Sequence, residues 1–282
     1  MMRLGASTSF SAGADGQPDR VADVRETKPS FTARRVAVTR ARLIRPEVPT
    51  GDAGAEVRLY QSLGGLRVRL GAGRLRRHLV VRTAFFDRET LDAVRGGVQQ
   101  VVIVGAGYDG RALRFASPDV RWFEVDHPAT QEDKRARLTA IGAPSTQTAF
   151  VAVDLVDDDL VVALRAAGHD PARPSLFVVE GLLGYLPRPV TSALLGSLHE
   201  LAGHGSRLAV AFPTALPEAA PARERLRRRL RGLLVAALGE PWLTRFNPDE
   251  PEQLLTRAGW AVAVNDGKAV RYQGRNGLPC RR

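Results

Sequence analysis

The chain has 282 residues, 44% of them hydrophobic, enough to bury a sizeable core in one catalytic domain with extensions. Its 41 basic residues against 30 acidic ones leave a net charge of +11, nearly all of it arginine, since lysine stands only at Lys28, Lys134 and Lys268. No apolar run approaches the roughly 20 residues of a bilayer span, Met1-Met2-Arg3-Leu4-Gly5 does not open an apolar signal core, and Cys280, the single cysteine, excludes an intramolecular disulfide and a cysteine-based zinc site.

Residues 1–28 are rich in Gly, Ser, Asp and Arg without apolar periodicity and read as a flexible tail. A helical extension is expected over 29–97. Phe31, Ala33, Val36, Ala37 and Leu43 recur at near-helical spacing behind Ser30 or Thr32 as a cap, and helical stretches follow near 56–63 and 75–94, closed by Gly96-Gly97. From 98 to 282 the pattern changes to short apolar runs at 100–104, 120–125, 150–153, 175–179 and 207–212, separated by helical stretches at 111–116, 130–141, 160–167 and 190–202. That alternation predicts a doubly wound α/β core of parallel strands and crossover helices. A basic helical insertion near 218–238 interrupts it, before a helix at 251–258, a strand at 260–264 and a last strand at 271–273. In the insertion, arginines surround Leu226, Leu230, Leu233 and Leu234, which reads as a solvated face or as a lid that draws in an anionic acceptor.

The strand Val101-Val102-Ile103-Val104 runs into Gly105-Ala106-Gly107-Tyr108-Asp109-Gly110. Glycines there permit positive φ and close approach of backbone to a ligand, and a helix opening at Arg111 would add N–H donors for an anion. Glu124 and Asp126 follow at the distance where a carboxylate accepts from ribose hydroxyls. Spacing alone leaves two cofactors open, a nicotinamide dinucleotide and S-adenosylmethionine. Asp154 ends the third strand and Glu180 the fourth, so that Gly105, Asp126, Asp154 and Glu180 would meet in one crevice; each of the latter two carboxylates could instead cap a following helix.

The set Thr32-Ala33, Arg82-Thr83, Val104 to Arg111, Glu124-Val125-Asp126-His127-Pro128, Lys134-Arg135, Val153-Asp154-Leu155 and Glu180-Gly181-Leu182-Leu183-Gly184-Tyr185-Leu186-Pro187 resembles the leucine carboxyl methyltransferase family. The resemblance runs from about Ser30 to Val264 and implies a Rossmann-like class I methyltransferase fold that uses S-adenosyl-L-methionine. It further implies that Arg82 meets the cofactor's methionine carboxylate, that Gly105, Ala106 and Gly107 pass beneath the methionine portion, and that Asp126 holds the ribose. Asp154 and Leu155 would flank the adenine, Glu180 would lie near the amino group, and Tyr185 would face the substrate. Gly110 stands where the family commonly has Thr, and Gly184 where a bulkier residue is frequent; the first is expected only to loosen the turn, the second to enlarge the acceptor pocket or to relieve packing.

The five histidines form no HExxH pattern, so no metal is expected, and no Gly-x-Ser-x-Gly elbow appears. Aromatics are only 6% of the chain, and none of its basic runs interleaves them as a nucleic-acid stacking platform requires. The expectation is a cytoplasmic methyltransferase with no membrane or metal partner, acting on a carboxylate or hydroxyl of an anionic or aromatic small molecule such as a secondary metabolite. Two readings compete: an NAD(P)-dependent oxidoreductase on the same glycine turn, and a basic nucleic-acid-binding module without catalysis.

Overall fold

The computed structural model describes residues 29–43, 45–64, 74–143, 147–213, 223, 226, 230, 243–265 and 270–274. The expected tail at 1–28 and most of the basic insertion lie outside them. Within the insertion Arg223, Leu226 and Leu230 are helical, and both leucines are exposed.

Short runs rich in Val and Phe become strands because side chains alternate faces and both faces can be covered. Strands β1 (Gln100–Val104), β2 (Arg121–Asp126), β3 (Thr148–Ala152), β4 (Ser175–Val179) and β5 (Arg207–Val210) are joined by parallel pairings, and β6 (Trp260–Asn265) and β7 (Val270–Gly274) complete one seven-stranded sheet. The strand order is β3-β2-β1-β4-β5-β7-β6, with β7 antiparallel to both β5 and β6. A dinucleotide-binding sheet runs 3-2-1-4-5-6, so an antiparallel strand wedged between the fifth and sixth sets this sheet apart.

The helices are α1 (Phe31–Arg40), α2 (Ala53–Ser62), α3 (Arg74–Arg95), α4 (Arg111–Arg114), α5 (Pro128–Ala140), α6 (Leu160–Ala166), α7 (Arg188–Glu200) and α8 (Glu250–Arg257). Side-chain caps start several of them: Ser30 accepts from the Ala33 N–H, Asp52 from Ala55, and Asp159 from Val161 and Val162. One face of the sheet, with Val102, Phe123, Phe177 and Leu208, packs on Leu164, Leu195, Leu198 and Leu255 of α6, α7 and α8. The other face, with Val101, Ile103, Trp122 and Val178, packs on Phe86 and Leu91 of α3 and on Ala112 and Phe115 around α4. A third cluster joins α1, α2 and α5 through Ala37, Leu59, Tyr60, Tyr108 and Leu138. The α/β architecture and the N-terminal helical region are therefore as the sequence predicted. Strand boundaries move by one or two residues: β2 spans 121–126 rather than 120–125, β3 148–152 rather than 150–153, β5 ends at Val210 rather than Phe212, and β6 and β7 run 260–265 and 270–274 rather than 260–264 and 271–273.

Register positions the site. Val104 lies opposite both Val125 and Val179, and Val179 opposite Val210, so β1, β4 and β5 end at one level and β2 one residue beyond it. The next residues in the chain, Gly105, Asp126 and Glu180, consequently share one edge of the sheet.

Candidate functional site

The glycine turn closes tightly over the end of β2. Gly105 and Gly107 adopt φ of 68° and 50°, a region that other L residues avoid. The N–H groups of Gly105 and Ala106 both donate to the Val125 carbonyl, at 2.9 and 3.0 Å. Space enforces the same choice: a Cβ at Gly107 would sit 2.8 Å from the Ala33 Cβ of α1, and one at Gly105 would sit 3.0 to 3.2 Å from Leu182.

Asp126 sits at the end of β2, half-buried. Its carboxylate accepts from the Gly107 N–H at 2.5 Å and the His127 N–H at 2.8 Å. Burial pushes this carboxyl up from its ordinary range, against the pull of those two donors. Each carboxylate oxygen has further lone pairs, so Asp126 can accept additional hydroxyls while it holds the turn. Glu124, the other carboxylate at this distance, has a different partner. It is buried and receives Lys134 Nζ at 2.5 Å, and the same ammonium donates to the Asp109 carbonyl at 2.6 Å. Burial raises the Glu124 carboxyl and Lys134 opposes the rise.

Asp154 is half-buried beyond β3. Its Oδ1 accepts from the Val156 N–H at 2.9 Å, and its Oδ2 lies 3.8 Å from His127 Nε2. It caps a turn rather than a helix, since the cap of α6 is Asp159. Leu155 is partly buried against the core. Asp126, His127, Asp154 and Leu155 thus stand together at the ends of β2 and β3.

Glu180 is the centre of a charged cluster. The carboxylate is only 2% exposed, with Arg82 Nε 2.8 Å from Oε1, and Arg40 Nη2 and Arg111 Nη1 at 2.6 and 2.8 Å from Oε2. Burial alone would raise its pKa, but the guanidiniums of Arg40, Arg111 and Arg82 hold it well below the usual carboxylate range. Arg40 and Arg111 also share Asp109 Oδ2, and Arg111 Nε reaches Asp87 Oδ1 at 2.8 Å. Arg45 joins Asp87 to Glu56. The terminal nitrogens of Arg82 lie 3.6 and 3.7 Å from where a Gly181 Cβ would stand. Tyr185 closes the short 3-10 turn Leu183–Tyr185 that follows β4, half-buried. Gly184 is buried, and a Cβ there would make ordinary contact with Pro213.

All the site residues expected from sequence therefore fall along one edge of the sheet, and Arg82 and Glu180 touch directly. Unexpected were Arg40, Asp109 and Arg111, whose ion pairs bring α1 into the cluster. One sequence expectation needs correcting. Gly110 does more than loosen the turn, because a Cβ there would lie 2.4 Å from the Glu56 Cγ. A cleft of about 690 Å³ between Gln99, Arg121, Asp170 and Arg173 opens at the opposite edge, where the strands begin, and none of the expected site residues lines it.

Residues 57–199 match the leucine carboxyl methyltransferase family. The chain belongs to that family. An inferred S-adenosyl-L-methionine-dependent methyltransferase of Mycolicibacterium paratuberculosis is 44% identical over 163 residues, which cover 57% of this chain and 51% of that protein. A relative of the same description from Mycobacterium tuberculosis is 34% identical over 270 residues, or 85% of this chain and 75% of its own length. Against the first of these relatives, the chain spans about half of the other protein's length. Among solved structures, an inferred methyltransferase from Thermobifida fusca superposes with a TM-score of 0.56 at 18% identity, covering 88% of this chain and 95% of that one, which is a likeness of fold. S-adenosylmethionine is the cofactor named for these sequence relatives. No group of three or more potential metal ligands and no helix long and apolar enough to cross a membrane occur among the described residues.

Proposed function

We propose that the protein is an S-adenosylmethionine-dependent methyltransferase acting on a carboxylate of an anionic or aromatic small molecule, with a hydroxyl as the second choice of acceptor. The observation that supports it best is the alignment of four strand ends, which gathers Gly105, Asp126, Asp154 and Glu180 on one edge beside Arg82. The residues fit the cofactor in charge. Its amino-acid end carries one carboxylate and one ammonium, and the site offers the Arg82–Glu180 pair. Its adenosine end carries a diol and an exocyclic amine, and the site offers Asp126 and Asp154.

In this reading the terminal nitrogens of Arg82, which the bond from Nε to Glu180 leaves available, take the methionine carboxylate. Glu180 faces the amino group, Asp126 accepts from the ribose, and Asp154 and Leu155 border the adenine. Gly105, Ala106 and Gly107 form the floor, with Ala33 and Leu182 excluding water from either side of the turn. Tyr185 stands on the acceptor side. The cofactor supplies an activated methyl group. Orientation alone contributes on the order of 7 to 11 kcal/mol in well-aligned reactions, so the chain needs no covalent nucleophile.

The preference for a carboxylate rests on protonation. A carboxylate acceptor is already ionised at neutral pH and needs no base, whereas an alcohol or phenol has a proton to lose. In the cluster, Glu180 and Asp109 are both engaged by guanidiniums, which leaves neither as a general base. The family's name and the net charge of +11 point the same way, toward an anionic acceptor.

The test is incubation with methyl-labelled S-adenosylmethionine and a panel of small carboxylic acids and phenols. Label that mild alkali releases marks an ester and supports the reading; alkali-stable label moves the acceptor to a hydroxyl. Calorimetric binding of NAD without binding of S-adenosylhomocysteine would overturn the methyltransferase assignment.

A further inference from the structure

We propose that Arg40 of α1 is a positioning residue that orients Glu180 toward the amino-acid end of the cofactor, making α1 part of the cofactor site. This rests on the cofactor reading above. Both halves of α1 reach the site. Near its start, Ala33 meets the turn at the one point where Gly107 has no side chain, and Ser30 receives support from α5, its N–H donating to Thr130 Oγ1 at 3.1 Å. At its last residue, Arg40 places Nη1 2.9 Å from Asp109 Oδ2 and Nη2 2.6 Å from Glu180 Oε2. One guanidinium fork therefore joins the glycine turn to the end of β4.

Burial keeps that bridge strong. Arg40 is 6% exposed and Glu180 2%, so the pair is screened little by solvent. Glu180 is held from two sides: Arg82 takes Oε1, and Arg40 with Arg111 takes Oε2. Arg111 is itself anchored on Asp87 and Asp109. Arg40 is thus the contact through which α1 joins Arg82 and Arg111 in orienting the Glu180 carboxylate and holding it ionised for an ammonium. A lysine cannot replace it fully, because a single ammonium does not span two carboxylates with a fixed fork.

The test compares two nucleosides by calorimetry on the full chain and on Arg40→Gln and Arg40→Lys. S-adenosylhomocysteine has the amino-acid end, and 5′-methylthioadenosine lacks it. Arg40→Gln is expected to weaken S-adenosylhomocysteine about ten- to hundredfold, the range for charge-assisted contacts, and to leave methylthioadenosine unchanged. Arg40→Lys is expected to show a smaller loss of the same selectivity, and it carries the comparison if Arg40→Gln does not fold. Equal losses for both nucleosides, or a lowered melting temperature with unchanged affinities, would show a purely structural Arg40 and overturn the proposal. Failure of the unaltered chain to bind either nucleoside would sink the cofactor reading instead.

Discussion

Gly110 and Glu56 are in closest approach where α2 crosses the start of α4: the Cβ that any other residue would bring to position 110 falls 2.4 Å from the Glu56 Cγ. Glu56 cannot swing aside cheaply. Its carboxylate is held by Arg45, by the Tyr60 hydroxyl at 2.9 Å and by Arg114 at 3.4 Å, and the side chain is 2% exposed. Gly110 has φ of −105°, so the constraint is one of space rather than of backbone. Gly110→Thr is therefore expected to cost about 1 to 3 kcal/mol, the usual penalty for overpacking. Thermal unfolding checks this, and a melting temperature equal to that of the unaltered chain would contradict it.

Asp126 has two tasks in the proposed site, holding the turn through the Gly107 N–H and receiving the ribose. Asp126→Ala removes both. Affinity for S-adenosylhomocysteine should fall by about 1 to 3 kcal/mol, the cost of leaving polar partners unpaired. Titration calorimetry measures this, and an unchanged dissociation constant would put the ribose elsewhere.

Lys134 neutralises Glu124 where neither reaches water. Removing one member of such a pair costs about 3 to 5 kcal/mol because the other charge stays buried, which is the expectation for Lys134→Met. Burial already lifts the Glu124 carboxyl, and loss of the ammonium lifts it further. In the variant, a group with a raised folded pKa favours folding at low pH and loses that contribution as pH rises. The deficit relative to the unaltered chain should accordingly be smaller near pH 5 than near pH 8, read by urea unfolding at each pH.

His169 gives the opposite slope. It is 4% exposed, edge-on to Phe123 at 5.4 Å, with Nε2 3.0 Å from Ser175 Oγ. Burial lowers it from 6.5 to about 4. Between those values the unfolded chain binds a proton that the folded chain refuses, so stability is intact above the ordinary histidine range and falls as pH drops toward 4. The loss is on the order of 3 kcal/mol. His169→Gln should flatten the curve over that interval; an unaltered slope would assign it to other groups.

The strand ends and the glycine turn were legible because both have local causes. Val and Phe runs have nowhere to go but between two layers, and Gly105 and Gly107 need positive φ. Where the edge strand was misjudged, at Thr148 and Ala149, the residues are half-buried and lack the apolar contrast of Val101 to Val104. Glu180 was legible as a carboxylate at a strand end, but Arg82 was reached only through motif resemblance, since nothing between positions 82 and 180 says that they touch. Arg40 was missed altogether. It ends a helix that was read from its apolar spacing alone, and its partners lie 69 and 140 positions onward. Asp109 and Arg111, polar residues framing a turn that must be buried, were the one local hint that a cation was needed.

The boundary near residue 97, where helices give way to strands, marks a change of secondary structure and not a seam. Asp109 and Glu180 lie in the loops that follow strands β1 and β4, whereas two of the cations around them, Arg40 and Arg82, belong to the helices before the sheet. Recombining this chain with a relative at that boundary would set one parent's arginines against the other parent's carboxylates. Such hybrids should be soluble only when both parents place the same charges at these positions, so the helices and the sheet are inherited together or not at all.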